Sequence, residues 1–140
     1  MKAGSLVQKE SAMDAFELNQ LLDERSRTQR AYLEFLRVPS LSAGVYVLPA
    51  GGIDPQQPHT EDEIYYIASG RGAIQVGGES RDVAAGSVVF VKAGDEHRFH
   101  SIAEDLVILV FFAPAEYANA TSDEASMQSA VSSKPDSAFC

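Results

Sequence analysis

GGIDPQQPHTEDEIYYIASG (residues 51–70) and GSVVFVKAGDEHRFHS (residues 86–101) hold His59, Glu63 and His97 at spacings that suit one metal ion. In the first stretch Gln57, His59 and Glu63 share parity, and the run after Glu63 reads as a strand ending at Gly70. In the second, Gly86 opens a strand over residues 87–91, Gly94 makes a turn, and His97 begins another alternating segment. Side chains of a strand point in and out in turn. Gln57 and His59 can therefore face one interior with Glu63, Tyr65 and Ile67, and His97, Phe99 and Ser101 share a face in the same way.

The flanking pattern is that of many short strands. Alternation predicts strands over residues 32–38, 44–48, 63–68, 72–76, 81–83, 87–91, 97–102 and 106–112, separated by turn residues. Gly77-Gly78 is a hairpin signal, because glycine accepts positive φ without steric cost. Close, regular spacing of such strands indicates an all-β sandwich or barrel. Before them, Asp14 is the expected N-cap, with Glu17 three residues on, of a short helix near residues 15–25 whose apolar face is Phe16, Leu18, Leu21 and Leu22. The organisation expected is a flexible leader (1–13), a helix and linker (14–30), a barrel (31–115) and a disordered Ser/Ala/Asp/Glu-rich tail (116–140).

Length and charge bound the function. A chain of 140 residues is enough for one domain with a real core. A net charge of −9 and the lack of a Lys/Arg cluster argue against a nucleic-acid partner. The single cysteine, Cys140, cannot form an intrachain disulfide. No apolar run reaches the length of a membrane span and the first residues lack a secretory signal, so the expected location is cytoplasmic, with no membrane partner.

The two quoted stretches resemble the paired motifs of the cupin superfamily. The first motif (Gly, five residues, His, one residue, His, three or four residues, Glu, six residues, Gly) is met by Gly51, Gln57, His59, Glu63 and Gly70, with Gln57 where the family has a histidine. The second (Gly, five residues, Pro, one residue, Gly, two residues, His, three residues, Asn) is met by Gly86, Lys92, Gly94, His97 and Ser101; Lys92 replaces the proline and Ser101 the asparagine. The resemblance implies a small single-domain cupin with the RmlC-like jelly-roll barrel, or double-stranded β-helix.

It also implies a divalent transition metal (Fe, Mn, Ni, Cu or Zn) bound by Gln57, His59, Glu63 and His97. Two imidazoles and a carboxylate in a partly open site suit all of those ions. Gln57 is either a weak ligand or a hydrogen-bond donor just outside the coordination sphere. Glu61 and Asp62 could substitute for the missing histidine, but are expected to form a solvated turn. His100 falls out of phase and should face away, and Tyr65 either presents its hydroxyl to a substrate or packs in the core. The activity implied is that of a metal-dependent dioxygenase, or of an isomerase or lyase in which Glu63 or Tyr65 moves a proton of a small organic molecule. The alternative is a non-catalytic module that binds or senses a small ligand or a metal. A homodimer is expected, covering the outward apolar residues Ile64, Tyr66 and Val88.

Overall fold

The computed structural model describes residues 12–55 and 58–120; most of the expected leader, Gln57, and the tail from residue 121 to Cys140 lie outside the described residues. Among the described residues one helix, α1 (Leu18–Thr28), precedes six strands: β1 (Tyr32–Val38), β2 (Leu41–Leu48), β3 (Asp62–Val76), β4 (Glu79–Ala84), β5 (Val88–Val91) and β6 (His97–Ala113). The pairings are antiparallel, in the order β1-β2-β6-β3-β4. Strand β5 pairs with residues 63–66 of β3 and β4 with residues 71–76, while β6 pairs with β3 through both regions. Two short strands thus lie end to end along one edge of β3, and β6 runs along the other. This is a jelly-roll barrel, with Tyr46, Tyr65, Ile67, Ile74, Phe99, Leu106, Ile108 and Phe112 in its core.

The helix differs from expectation at its start. Glu17, not Asp14, occupies the N-cap position, and it makes no side-chain capping bond. Phe16 lies outside the helix and packs on Phe35 of β1, with ring centroids 4.8 Å apart. That contact competes with an earlier helical turn, and only Leu21 of the expected apolar face is fully buried.

Two pairs of expected strands prove to be two long ones, and Gly70 shows why. It does not end a strand; it sits in a bulged stretch of β3, where the register with β6 shifts between Ile67 and Ala73. Its φ is +97°, and a Cβ there would lie 2.0 Å from the carbonyl oxygen of Asp105. Glycine lets two backbones meet at the bend, so β3 and β6 turn the corner of the barrel together. Ser101 marks a second irregularity in β6, with φ +50°. It is exposed and Ile102 is buried, so Ser101 does not share the inward face of His97 and Phe99.

Candidate metal centre

Elsewhere in the motifs parity holds. Along the start of β3 exposure alternates strictly: Glu63, Tyr65 and Ile67 are buried, whereas Asp62, Ile64 and Tyr66 face out. Glu63 is held between Val91 of β5 and Phe112 of β6. His97 opens β6 and is buried with Phe99. His59 lies in the loop before β3, and its carbonyl accepts the Gly94 N–H at 2.7 Å. Asp62 Oδ1 accepts the Ala93 N–H at 2.8 Å. These two bonds join the motif loops, which is how histidines 38 positions apart reach one point.

That point is the carboxylate of Glu63. Its Oε1 lies 3.1 Å from His59 Nδ1 and 3.1 Å from His97 Nε2. The three ligand-type atoms are all within 4.8 Å of one another, and the three residues are buried. His97 Nδ1 is 2.9 Å from the Asp95 carbonyl, which can only accept, so Nδ1 carries the proton and Nε2 faces Glu63. Neither oxygen of Glu63 is held in a hydrogen bond of regular geometry. Two imidazoles and a poorly bonded carboxylate, all out of water, form a donor set that a divalent transition ion fits.

The field in the cluster is strongly coupled. Burial alone would lower the His59 pKa, but Glu116 and Glu63 raise it to about 9. Burial would raise that of Glu63, yet the His59 and His97 imidazoles facing its carboxylate bring it down to about 2. Tyr65 is fully buried, and burial followed by the charges of Glu63 and Asp54 holds its hydroxyl well above the usual phenol range. Its ring centroid is 5.9 Å from that of His97 and 4.9 Å from that of Phe99. Phe112 lies against His59 at 4.7 Å.

Residues 44–112 match the family model described as a cupin domain. The chain is a cupin. An uncharacterized protein of Streptomyces coelicolor is 53% identical over 104 residues, which cover 74% of this chain and 99% of that one. An RmlC-like cupin of Methanocaldococcus jannaschii with a double-stranded β-helix fold superposes with a TM-score of 0.61 at 16% identity, over 75% of this chain and 94% of that chain. The DMSP lyase DddQ of Ruegeria pomeroyi gives a TM-score of 0.57 at 26% identity, over 60% of this cupin and 46% of that chain.

Three buried acids take roles that the sequence reading did not give them. Glu61 is not a solvated turn residue: it is 1% exposed and accepts the N–H groups of Tyr117 and Asn119, each at 2.8 Å, and the Thr60 hydroxyl. It thereby fixes residues 116–120, which composition assigns to the tail. Glu116, in that segment, is 4% exposed, and its Oε2 lies 3.3 Å from His59 Nε2. Burial pushes the Glu116 carboxyl upward, partly offset by His59. Asp54 accepts the Tyr46 hydroxyl at 2.5 Å and the Phe99 N–H at 2.8 Å, bracing the wall beside Tyr65. Asp54 and Glu61 both lie inside the first motif, and Glu61 shares the parity of His59 and Glu63; Glu116 had no such signal. His100 faces away from the cluster as expected and contacts Ser80 Oγ at 2.8 Å. Asp62 is exposed and serves the Ala93 bond rather than the cluster.

Proposed function

We propose that this cupin is a metal-dependent enzyme that moves a proton of a small organic molecule, as a lyase or isomerase does. His59, Glu63 and His97 would hold the ion, and Tyr65 would act as the proton donor. The observation that carries this reading is the convergence of two imidazole nitrogens on one buried carboxylate oxygen, each at 3.1 Å, with a buried tyrosine two residues along the same strand face. A divalent ion at such a site supplies Lewis acidity to a substrate oxygen. Glu63, held well below the usual carboxylate range by His59 and His97, contributes charge. The Tyr65 hydroxyl, held protonated by burial and by that charge, suits donation of a proton to a substrate anion. The dioxygenase branch needs the same ligands but no tyrosine, so Tyr65 favours proton transfer. The likeness to a DMSP lyase at 26% identity supports the same branch.

A second reading is favoured by one observation. His59 has a carboxylate near each ring nitrogen, Glu63 at 3.1 Å and Glu116 at 3.3 Å, so a protonated His59 offsets carboxylate charge in the pocket without an ion. On that reading the chain is a binding module. Metal analysis of tag-free wild type and H97A, followed by assays on a panel of small carboxylates, sulfonium compounds, diketones and sugars, decides between them. The enzyme reading expects about one metal per chain, lost in H97A, and anaerobic turnover lost in Y65F. Oxygen uptake requiring His59 would move the assignment to a dioxygenase. No metal after reconstitution, or no turnover in a broad panel alongside a ligand-dependent rise in Tm, would replace the enzyme with the binding module.

A homodimer is part of the proposal. Ile64, Tyr66, Val88 and Phe90 are 42%, 39%, 65% and 59% exposed and adjoin one another across β3 and β5. Leu109 and Phe111 of β6 extend that face. Such a patch favours self-association. Light scattering of wild type and of V88E/F90E should show a dimer and a monomer; a monomeric wild type at tens of micromolar, roughly the range where weak interfaces separate, would remove the claim.

A further inference from the structure

Glu116 stands outside both sequence motifs and is carried by the segment that follows the last strand. Several bonds spend themselves on placing it. Its own N–H donates to Ser42 Oγ at 2.9 Å, and its carbonyl accepts Arg37 Nη2 at 2.7 Å. Arg37 is in turn oriented by Glu34, with Nη1 2.9 Å from Oε1. The next residues are clamped by Glu61, two positions from His59 in sequence. The outcome is a second buried carboxylate on the far side of the His59 ring: Nδ1 faces Glu63 at 3.1 Å and Nε2 faces Glu116 at 3.3 Å.

We propose that Glu116 is a positioning residue for the metal centre: by accepting the Nε2–H of His59 it fixes the ring so that Nδ1 is the atom offered to the ion. The inference rests on the metal reading above and extends it. A neutral imidazole carries one proton, and the nitrogen that keeps it is set by the partner of that nitrogen. Oriented carboxylates of this kind fix ring rotation and raise the basicity of the ligating nitrogen. In the protonated ring each nitrogen faces a carboxylate, Nδ1 that of Glu63 at 3.1 Å and Nε2 that of Glu116 at 3.3 Å. When an ion binds, the Nδ1 proton leaves to solvent and the Nε2–H bond to Glu116 remains. His97 is fixed by the Asp95 carbonyl instead, through its Nδ1–H. The two imidazoles are thus expected to use different nitrogens, Nδ1 of His59 and Nε2 of His97.

Zinc is the probe. Affinity is measured for wild type, E116Q and E116A by competition with a chromophoric chelator, and the protonated ring nitrogen of His59 is read from two-bond proton–nitrogen NMR spectra of the zinc-loaded, histidine-labelled proteins. Wild type should carry a slowly exchanging proton on Nε2. E116A should bind zinc about 10–100-fold more weakly and lose the slow exchange. E116Q, whose amide oxygen still accepts, should fall between them and keep the ring proton on Nε2. A merely structural role would lower Tm in the variants without moving the exchange of that proton. Wild type that takes up no zinc overturns the metal reading and this role with it. Wild type that binds zinc, with E116A equally tight or with His59 ligating through Nε2, overturns the role of Glu116 alone.

Discussion

Replacing Glu61 by alanine separates the sequence view of residues 61–62 from the structural one. A solvated loop acid can be removed within about ±0.5 kcal/mol. The structure instead has a carboxylate 1% exposed, with Oε1 accepting the Tyr117 N–H and Oε2 the Asn119 N–H, both at 2.8 Å, besides the Thr60 hydroxyl. Hydrogen bonds to an ionised group contribute about 1.5–3 kcal/mol each. Two such bonds suggest a gross loss of roughly 3–6 kcal/mol, reduced because the carboxylate no longer bears its burial cost and the freed amides, on a partly open segment, regain water. A net loss of about 2–3 kcal/mol follows, which for a chain of this size lowers Tm by about 6–12 °C. Glu61→Gln keeps one acceptor oxygen and should lose about half as much. The assay is thermal unfolding with a chelator present, so that metal binding does not enter. A Glu61→Ala variant within about 2 °C of wild type would refute the clamp, since surface substitutions move Tm no further.

Three other outcomes are expected. In metal-free protein the His59 contribution, from a pKa raised from 6.5 to about 9, is complete below 6.5 and lost as pH rises through 9. That of Glu63, lowered from 4.5 to about 2, is complete above 4.5 and lost as pH falls through 2, so Tm should peak between 4.5 and 6.5; a Tm rising steadily from 6.5 to 9 would contradict the pairing. Gly70→Ala, with a Cβ 2.0 Å from the Asp105 oxygen and φ at +97°, should cost at least about 2 kcal/mol, checked by urea unfolding; a loss within about 0.5 kcal/mol would mean the bend tolerates side chains. Gln57→His, which restores the motif histidine, should tighten zinc binding in chelator competition. Affinity unchanged in both this variant and Gln57→Ala would place residue 57 outside the coordination sphere.

By itself the sequence determined the all-β barrel, the inward faces at the starts of β3 and β6, and three of the converging side chains. Alternation has a period of two, so the burial of Glu63, Tyr65 and Ile67, and of His97 with Phe99, followed from spacing once the strands were recognised. The same rule failed at Ser101, where a positive φ resets the alternation, and at Gly70, where a break signal proved to be a bend that lets β3 and β6 run on. Both outcomes depend on the approach of a second strand, which no local pattern encodes. Glu61 and Glu116 were decided by tertiary structure alone. The pairing of Glu61 with the Tyr117 and Asn119 amides, and of Glu116 with His59, requires the chain after β6 to fold back across more than fifty positions. Side chains paired at that separation leave no periodic trace, because the bonds that join them are made by the folded barrel.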